Sequence, residues 1–216
     1  METLALVTGA SRGFGYATAR ALAEPDTHIL ALARTTGGLE ELDTEIKAAG
    51  GTATLVPLDV TDEGGLQRLG KAIHDRWGKL DVFVHAAAHA PPLSPVGHIA
   101  EKDLDKTWEV NARATQRLVT MLDPVLKAAP GSKAVLIDDK TKAEKFFATY
   151  RASKLAARSI WESWAAECTR TGPTVTCFRP NPMPTALRAR FYPGEDTSAL
   201  ADPAVEAQRL VQTLRA

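Results

Sequence analysis

Thr8-Gly9-Ala10-Ser11-Arg12-Gly13-Phe14-Gly15 follows the apolar run Thr3 to Thr8 and opens the segment Phe14 to Ala23, whose apolar residues recur three and four apart. Gly9 allows a tight turn, and Gly13 and Gly15 let the helix entrance come close to a pyrophosphate, whose charge would meet the unpaired amides of the first helical turn. A glycine-rich turn alone would be only a flexible loop. With a strand before it and a helix after it, the turn predicts a dinucleotide-binding α/β protein.

The rest of the chain repeats that unit. Strands are predicted at Thr27 to Ala33, Thr52 to Leu58, Leu80 to Ala86, Lys133 to Ile137 and Thr174 to Phe178. Helical spacing covers Gly38 to Ala49, Glu63 to Trp77, Glu101 to Ala128, Phe146 to Arg170 and Val205 to Leu214. This alternation predicts a doubly wound parallel sheet, the Rossmann fold, in a single domain spanning residues 1–216. Two irregular stretches, about 88–100 and 180–203, follow strands directly and so fall at the carboxyl edge where a substrate is gripped.

The 216 residues carry 26 basic and 26 acidic side chains, which leaves no net positive field for nucleic acid or an anionic membrane. No leader and no long apolar run is visible, so a cytoplasmic protein without a membrane span is expected. Cys168 and Cys177 lack metal-site or disulfide-framework spacing and read as reduced structural thiols, and no metal site is expected.

Thr-Gly-x-x-x-Gly-x-Gly resembles the turn of the short-chain dehydrogenase/reductase family. That resemblance implies that Gly9, Ser11, Arg12, Gly13, Phe14 and Gly15 hold a nicotinamide dinucleotide. Ala33 stands where NAD-selective relatives keep an acid, and Arg34 and Arg12 instead offer guanidinium groups to a ribose 2′-phosphate, so NADP(H) is preferred and NAD(H) is the lesser expectation. Asp59-Val60 resembles the family pair that contacts adenine. His85-Ala86-Ala87-Ala88 stands in place of Asn-Asn-Ala-Gly, with Ala86 and Ala87 passing close to the cofactor and His85 read as a structural residue.

Tyr150 and Lys154, four apart in Tyr-Arg-Ala-Ser-Lys, leave one helix face a turn apart, so the ammonium can reach the phenol and favour the phenolate. In the family such a pair moves the proton while the cofactor moves the hydride, and Lys154 also binds the ribose. Asn111 matches the asparagine that holds a water on the proton path. Relatives place a serine at the end of the fifth strand, roughly a dozen residues before the tyrosine. Here Asp138 and Asp139 occupy that region, and the first hydroxyl is Thr141.

A carboxylate cannot donate to a developing alkoxide. Three readings of Asp138, the fourth catalytic candidate, follow: a protonated donor, an anion suited to an amine or iminium substrate, or the mark of a weakened enzyme. After the sixth strand, Pro180 and Thr185 fit the family's Asn-Pro-Gly-Pro-x-x-Thr as cofactor ligands, with Asn181 in place of the glycine, and Ala186 to Glu195 fits the covering helix and loop. Compared with the family, the last edge strand is expected to be absent after Val205 to Leu214, which puts the customary edge-strand contact in doubt, and a homodimer through the long helices is the expected assembly. The expected function is hydride transfer between NADP(H) and a small carbonyl or alcohol substrate. The rival is a non-catalytic NADP(H)-binding protein, a sensor or a silent partner of an active relative.

Overall fold

The computed structural model describes residues 3–139 and 143–215, so Thr141 lies outside the described residues. Six parallel strands, β1 (Thr3–Thr8), β2 (Thr27–Ala33), β3 (Thr52–Pro57), β4 (Val82–His85), β5 (Lys133–Ile137) and β6 (Thr174–Phe178), form one sheet in the order β3-β2-β1-β4-β5-β6. The order reverses between β1 and β4, and a reversal of this kind opens a crevice above the strand ends. Among the described residues β6 is the edge on that side.

Helices cover both faces: α1 (Gly13–Leu22), α2 (Thr36–Ala48), α3 (Glu63–Trp77), α4 (Glu101–Trp108), α5 (Ala114–Lys127), α6 (Ala148–Glu167), the short α7 (Ala186–Phe191) and α8 (Pro203–Arg215). The strand pleat sorts the core into two layers. Leu4 and Leu6 of β1 pack with Leu118 of α5 and Trp161 of α6, while Ala5 and Val7 pack with Ala19 of α1 and Leu210 of α8. Leu6 has no exposed surface, and burial of that kind contributes about 1.5–3 kcal/mol per leucine. Cys168 and Cys177 are free thiols. No helix among the described residues is long and apolar enough to cross a membrane.

Several boundaries differ from the sequence expectation. The helix expected over Glu101 to Ala128 is α4, a π-helical turn at Glu109–Arg113, and α5. The wide turn lies at Asn111, whose side chain is pulled into contacts outside its own helix. α6 starts at Ala148 rather than Phe146, because Phe146 has φ 73°, outside the helical region. β4 ends at His85 because the Ala86 and Ala87 amides turn to Thr8 Oγ1, each at 3.2 Å, instead of extending a ladder.

Candidate active site

The crevice above β1 and β4 is lined by every residue expected to hold the dinucleotide: Gly9, Ser11, Arg12, Gly13, Phe14, Gly15, Arg34, Asp59, Val60, Ala86, Ala87, Tyr150, Lys154, Pro180 and Thr185. Gly9 has φ 70°, and a Cβ there would lie 3.0 Å from the Ala87 backbone. A Cβ on Gly15 would lie 2.4 Å from Gly9 O. The turn therefore has no room for side chains at these two points, and backbone alone faces the crevice. No side chain caps α1, so its first-turn amides remain for an anion. These features fit a dinucleotide diphosphate.

The sequence reading missed a second support of that turn. A Cβ on Gly38, in the first turn of α2, would come within 2.3 Å of Ser11 O, so α2 packs directly on the glycine turn. At the adenosine end, Arg34 Nη1 lies 3.7 Å from Asp59 Oδ2, while Asp59 Oδ1 accepts from Thr61 N and Thr61 Oγ1. The next helix, α3, is capped by Asp62, which accepts from Gly65 N. More than half of the Arg34 side chain is exposed, so a phosphate could compete for it.

His85 is fully enclosed between hydroxyl groups. Thr115 Oγ1 donates to Asn111 O, so it accepts from His85 Nε2–H at 3.0 Å, which leaves His85 Nδ1 to accept from Thr8 Oγ1 at 2.8 Å. Thr8 Oγ1 in turn accepts the Ala86 and Ala87 amides. This chain fixes one neutral tautomer and ties the glycine-turn strand to the π-helical turn. Burial, followed by the Lys154 charge, lowers the His85 pKa from 6.5 to about 3.

Between those two values the unfolded chain binds a proton that the folded chain refuses. Stability therefore falls as the pH drops below about 6.5, by up to about 1.4 kcal/mol per pH unit, and above that value the contribution vanishes. Urea titrations from about pH 7 to about pH 5 are expected to show this slope, and His85→Asn to flatten it. An equal slope in the variant would contradict the assignment.

Asn111 is buried, and its side chain is fully engaged: Oδ1 accepts from His89 N at 2.7 Å, and Nδ2 donates to His89 O and to Ser153 Oγ, each at 3.0 Å. It thus pins the start of the loop at about 88–100 to α6. Lys154 Nζ donates to Ile137 O at 2.7 Å, and Tyr150 Oη donates to Asp139 Oδ2 in a short contact. Burial, then the Asp139 charge and hydrogen bond, then the Asp138 charge push the Tyr150 phenol well above its usual value. The expectation that Lys154 would favour the phenolate is corrected here. The ammonium donates to a strand carbonyl while a carboxylate holds the phenol proton.

Asp138 is the second correction. It has no exposed surface, does not line the crevice, and ion-pairs through Oδ2 with Arg158 Nε at 2.7 Å and Arg179 Nε at 3.0 Å. Its amide still donates to Phe178 O at 2.9 Å, so the extended pleat continues past β5. Side chains alternate along that pleat, and Asp138 and Asp139 consequently face opposite ways. Asp139, not Asp138, lines the crevice beside Tyr150. Phe191 of α7 closes on Tyr150 with ring centroids 4.8 Å apart, so the covering segment meets the phenol. Among the described residues no His, Cys, Asp or Glu group is arranged to hold a metal.

Residues 3–196 match the family described as short chain dehydrogenase. The chain is 32% identical over 193 residues to "Short-chain dehydrogenase/reductase FrzI" of Cladobotryum sp, covering 88% of this chain and 74% of that protein. It is similar in structure to a short chain dehydrogenase from Pseudomonas syringae, with a TM-score of 0.92, 26% identity, and coverage of 98% of this chain and 88% of that one. A short chain dehydrogenase from Escherichia coli CFT073 complexed with NADPH gives a TM-score of 0.88 at 25% identity, covering 98% of this chain and 89% of that one.

Proposed function

Because the chain belongs to the short-chain dehydrogenase family, we propose that it is an NADP(H)-dependent oxidoreductase that moves a hydride to or from a carbon bearing a polar double bond. The carbonyl/alcohol pair is the instance that the family resemblance implies. The observation that carries this reading is the gathering of Tyr150 and Lys154 at one end of a crevice whose other parts are the glycine turn and Arg34. When bound, the nicotinamide supplies or accepts the hydride. The α1 amides would neutralise the diphosphate, Arg12 and Arg34 the 2′-phosphate, Asp59 and Val60 would meet the adenine, and Thr185 and Pro180 would border the nicotinamide half. Lys154 would bind the ribose, and the Asn111 carbonyl, in its widened turn, would receive a water.

Tyr150 would move a proton at the substrate heteroatom once its hydrogen bond to Asp139 is given up. That condition is the observation that favours the second reading, a silent NADP(H)-binding protein. The substrate would be a small molecule, and a cytoplasmic location and a homodimer through the long helices α5 and α6 complete the proposal. The experiment is to supply NADPH with a panel of carbonyl and imine compounds and follow nicotinamide absorbance. Consumption that disappears in Tyr150→Phe for the carbonyl members supports the enzyme, whereas NADPH binding without consumption across the panel supports the silent protein.

A further inference from the structure

Asp139 places a carboxylate beside Tyr150, at the end of the crevice where the substrate heteroatom would lie. The Tyr150 hydroxyl donates to Asp139 Oδ2, so this pair offers lone pairs to the crevice rather than a proton. A carbonyl oxygen gathers negative charge as hydride arrives and needs a donor at that point. A protonated nitrogen needs the reverse: its N–H donates, and its charge pairs with a carboxylate. Among the described residues no side chain forms an ion pair with Asp139: Lys154 Nζ donates to Ile137 O, Arg179 pairs with Asp138, and Arg158 pairs with Asp138 and donates from Nη2 to the Asp139 backbone carbonyl. Tyr150 is buried and packs with Phe191 and Phe147, so the phenol end of the pair lies in an apolar surround, which strengthens a charge interaction beside it.

We propose that the site takes a protonated imine and returns an amine, with the Asp139 carboxylate holding the substrate N–H. This rests on the oxidoreductase reading and names its substrate class. The iminium carbon gains the hydride as a new C–H bond, and the C=N π pair becomes the nitrogen lone pair. The substrate is reduced by two electrons while the nicotinamide is oxidised, and no proton leaves the protein. Tyr150 is then a positioning residue that orients Asp139, a role that a phenol with a raised pKa can fill. The same replacement of a donor by a carboxylate that weakens the carbonyl reaction thus suits the iminium one.

The test compares protonated dihydroisoquinoline with the ketone tetralone, using NADPH and the full chain. The iminium is expected to show a kcat/KM about tenfold or more above the ketone, and Asp139→Asn to lose about tenfold or more on the iminium while the ketone gains from the amide donor, as fits a lost charge-assisted hydrogen bond. Asp139→Ser should reverse the order. A readout free of turnover accompanies it: tetrahydroisoquinoline, the amine product, which takes up a proton from solvent at neutral pH, should raise the melting temperature of the NADP⁺ complex in the native chain and not in Asp139→Asn. Retained NADPH binding reports that each variant is folded. A native preference for the ketone, or amine stabilisation unchanged in Asp139→Asn, overturns the assignment while leaving the oxidoreductase reading in place. Failure of NADPH to bind the native chain removes both.

Discussion

Gly15→Ala is expected to lower NADPH affinity by two orders of magnitude or more. The new Cβ would lie 2.4 Å from Gly9 O, 2.8 Å from Gly9 C and 3.1 Å from Thr8 O, all of them backbone atoms of the turn. None can rotate away like a side chain, so the turn and the first turn of α1 must separate by about an ångström. Overpacking of this kind costs about 1–3 kcal/mol in stability. The larger effect is on the site, because a displacement of about 1 Å in a positioned group can cost about a hundredfold. Titration of NADPH against the variant, with circular dichroism to establish folding, checks this. An unchanged dissociation constant would mean that the α1 entrance does not bind the diphosphate.

Asp138→Ala is expected to lower stability by about 3 kcal/mol, because it removes the counter-ion of a partly buried guanidinium. The Arg158 side chain is 19% exposed, whereas that of Arg179 is 45% exposed and can turn to water, which holds the effect toward the low end of the range for broken buried pairs. For a domain of this size that corresponds to a fall in Tm of about 6–12 °C. NADPH affinity should stay at its native value once the variant is folded, because Asp138 does not line the crevice. Thermal unfolding followed by titration gives both numbers. A stable variant with weakened NADPH binding would place Asp138 in the site after all.

The contrast between the two adjacent aspartates shows where the sequence stops being sufficient. The glycine turn was legible because its meaning is local: three glycines between a strand and a helix. Tyr150 and Lys154 were legible for the same reason, since four residues of helix fix their relative direction. Which of Asp138 and Asp139 faces the crevice is not local. It depends on whether the pleat continues past Ile137, and that is settled by the Asp138 amide bonding to Phe178 O on a strand far away in sequence.

The same limit hid Gly38, which reads as an indifferent helix residue until α2 is laid on Ser11. It also hid the π-helical turn at Asn111, where apolar spacing suggests one long helix. The widening coincides with the links from the asparagine side chain to His89 and Ser153. The sequence reads His85 as structural, but the hydroxyl on each side of its ring comes from β1 and α5, elements that only the folded sheet brings together.

The central claim is that the α1 amides and the Arg12 and Arg34 pair hold a phosphorylated nicotinamide dinucleotide. Titrating the purified chain with NADPH and separately with NADH, and following energy transfer from tryptophan to the nicotinamide, tests it in one experiment. Saturable binding of NADPH, tighter than that of NADH by about tenfold or more, is the predicted result. Absence of saturable binding by either nucleotide would contradict the account.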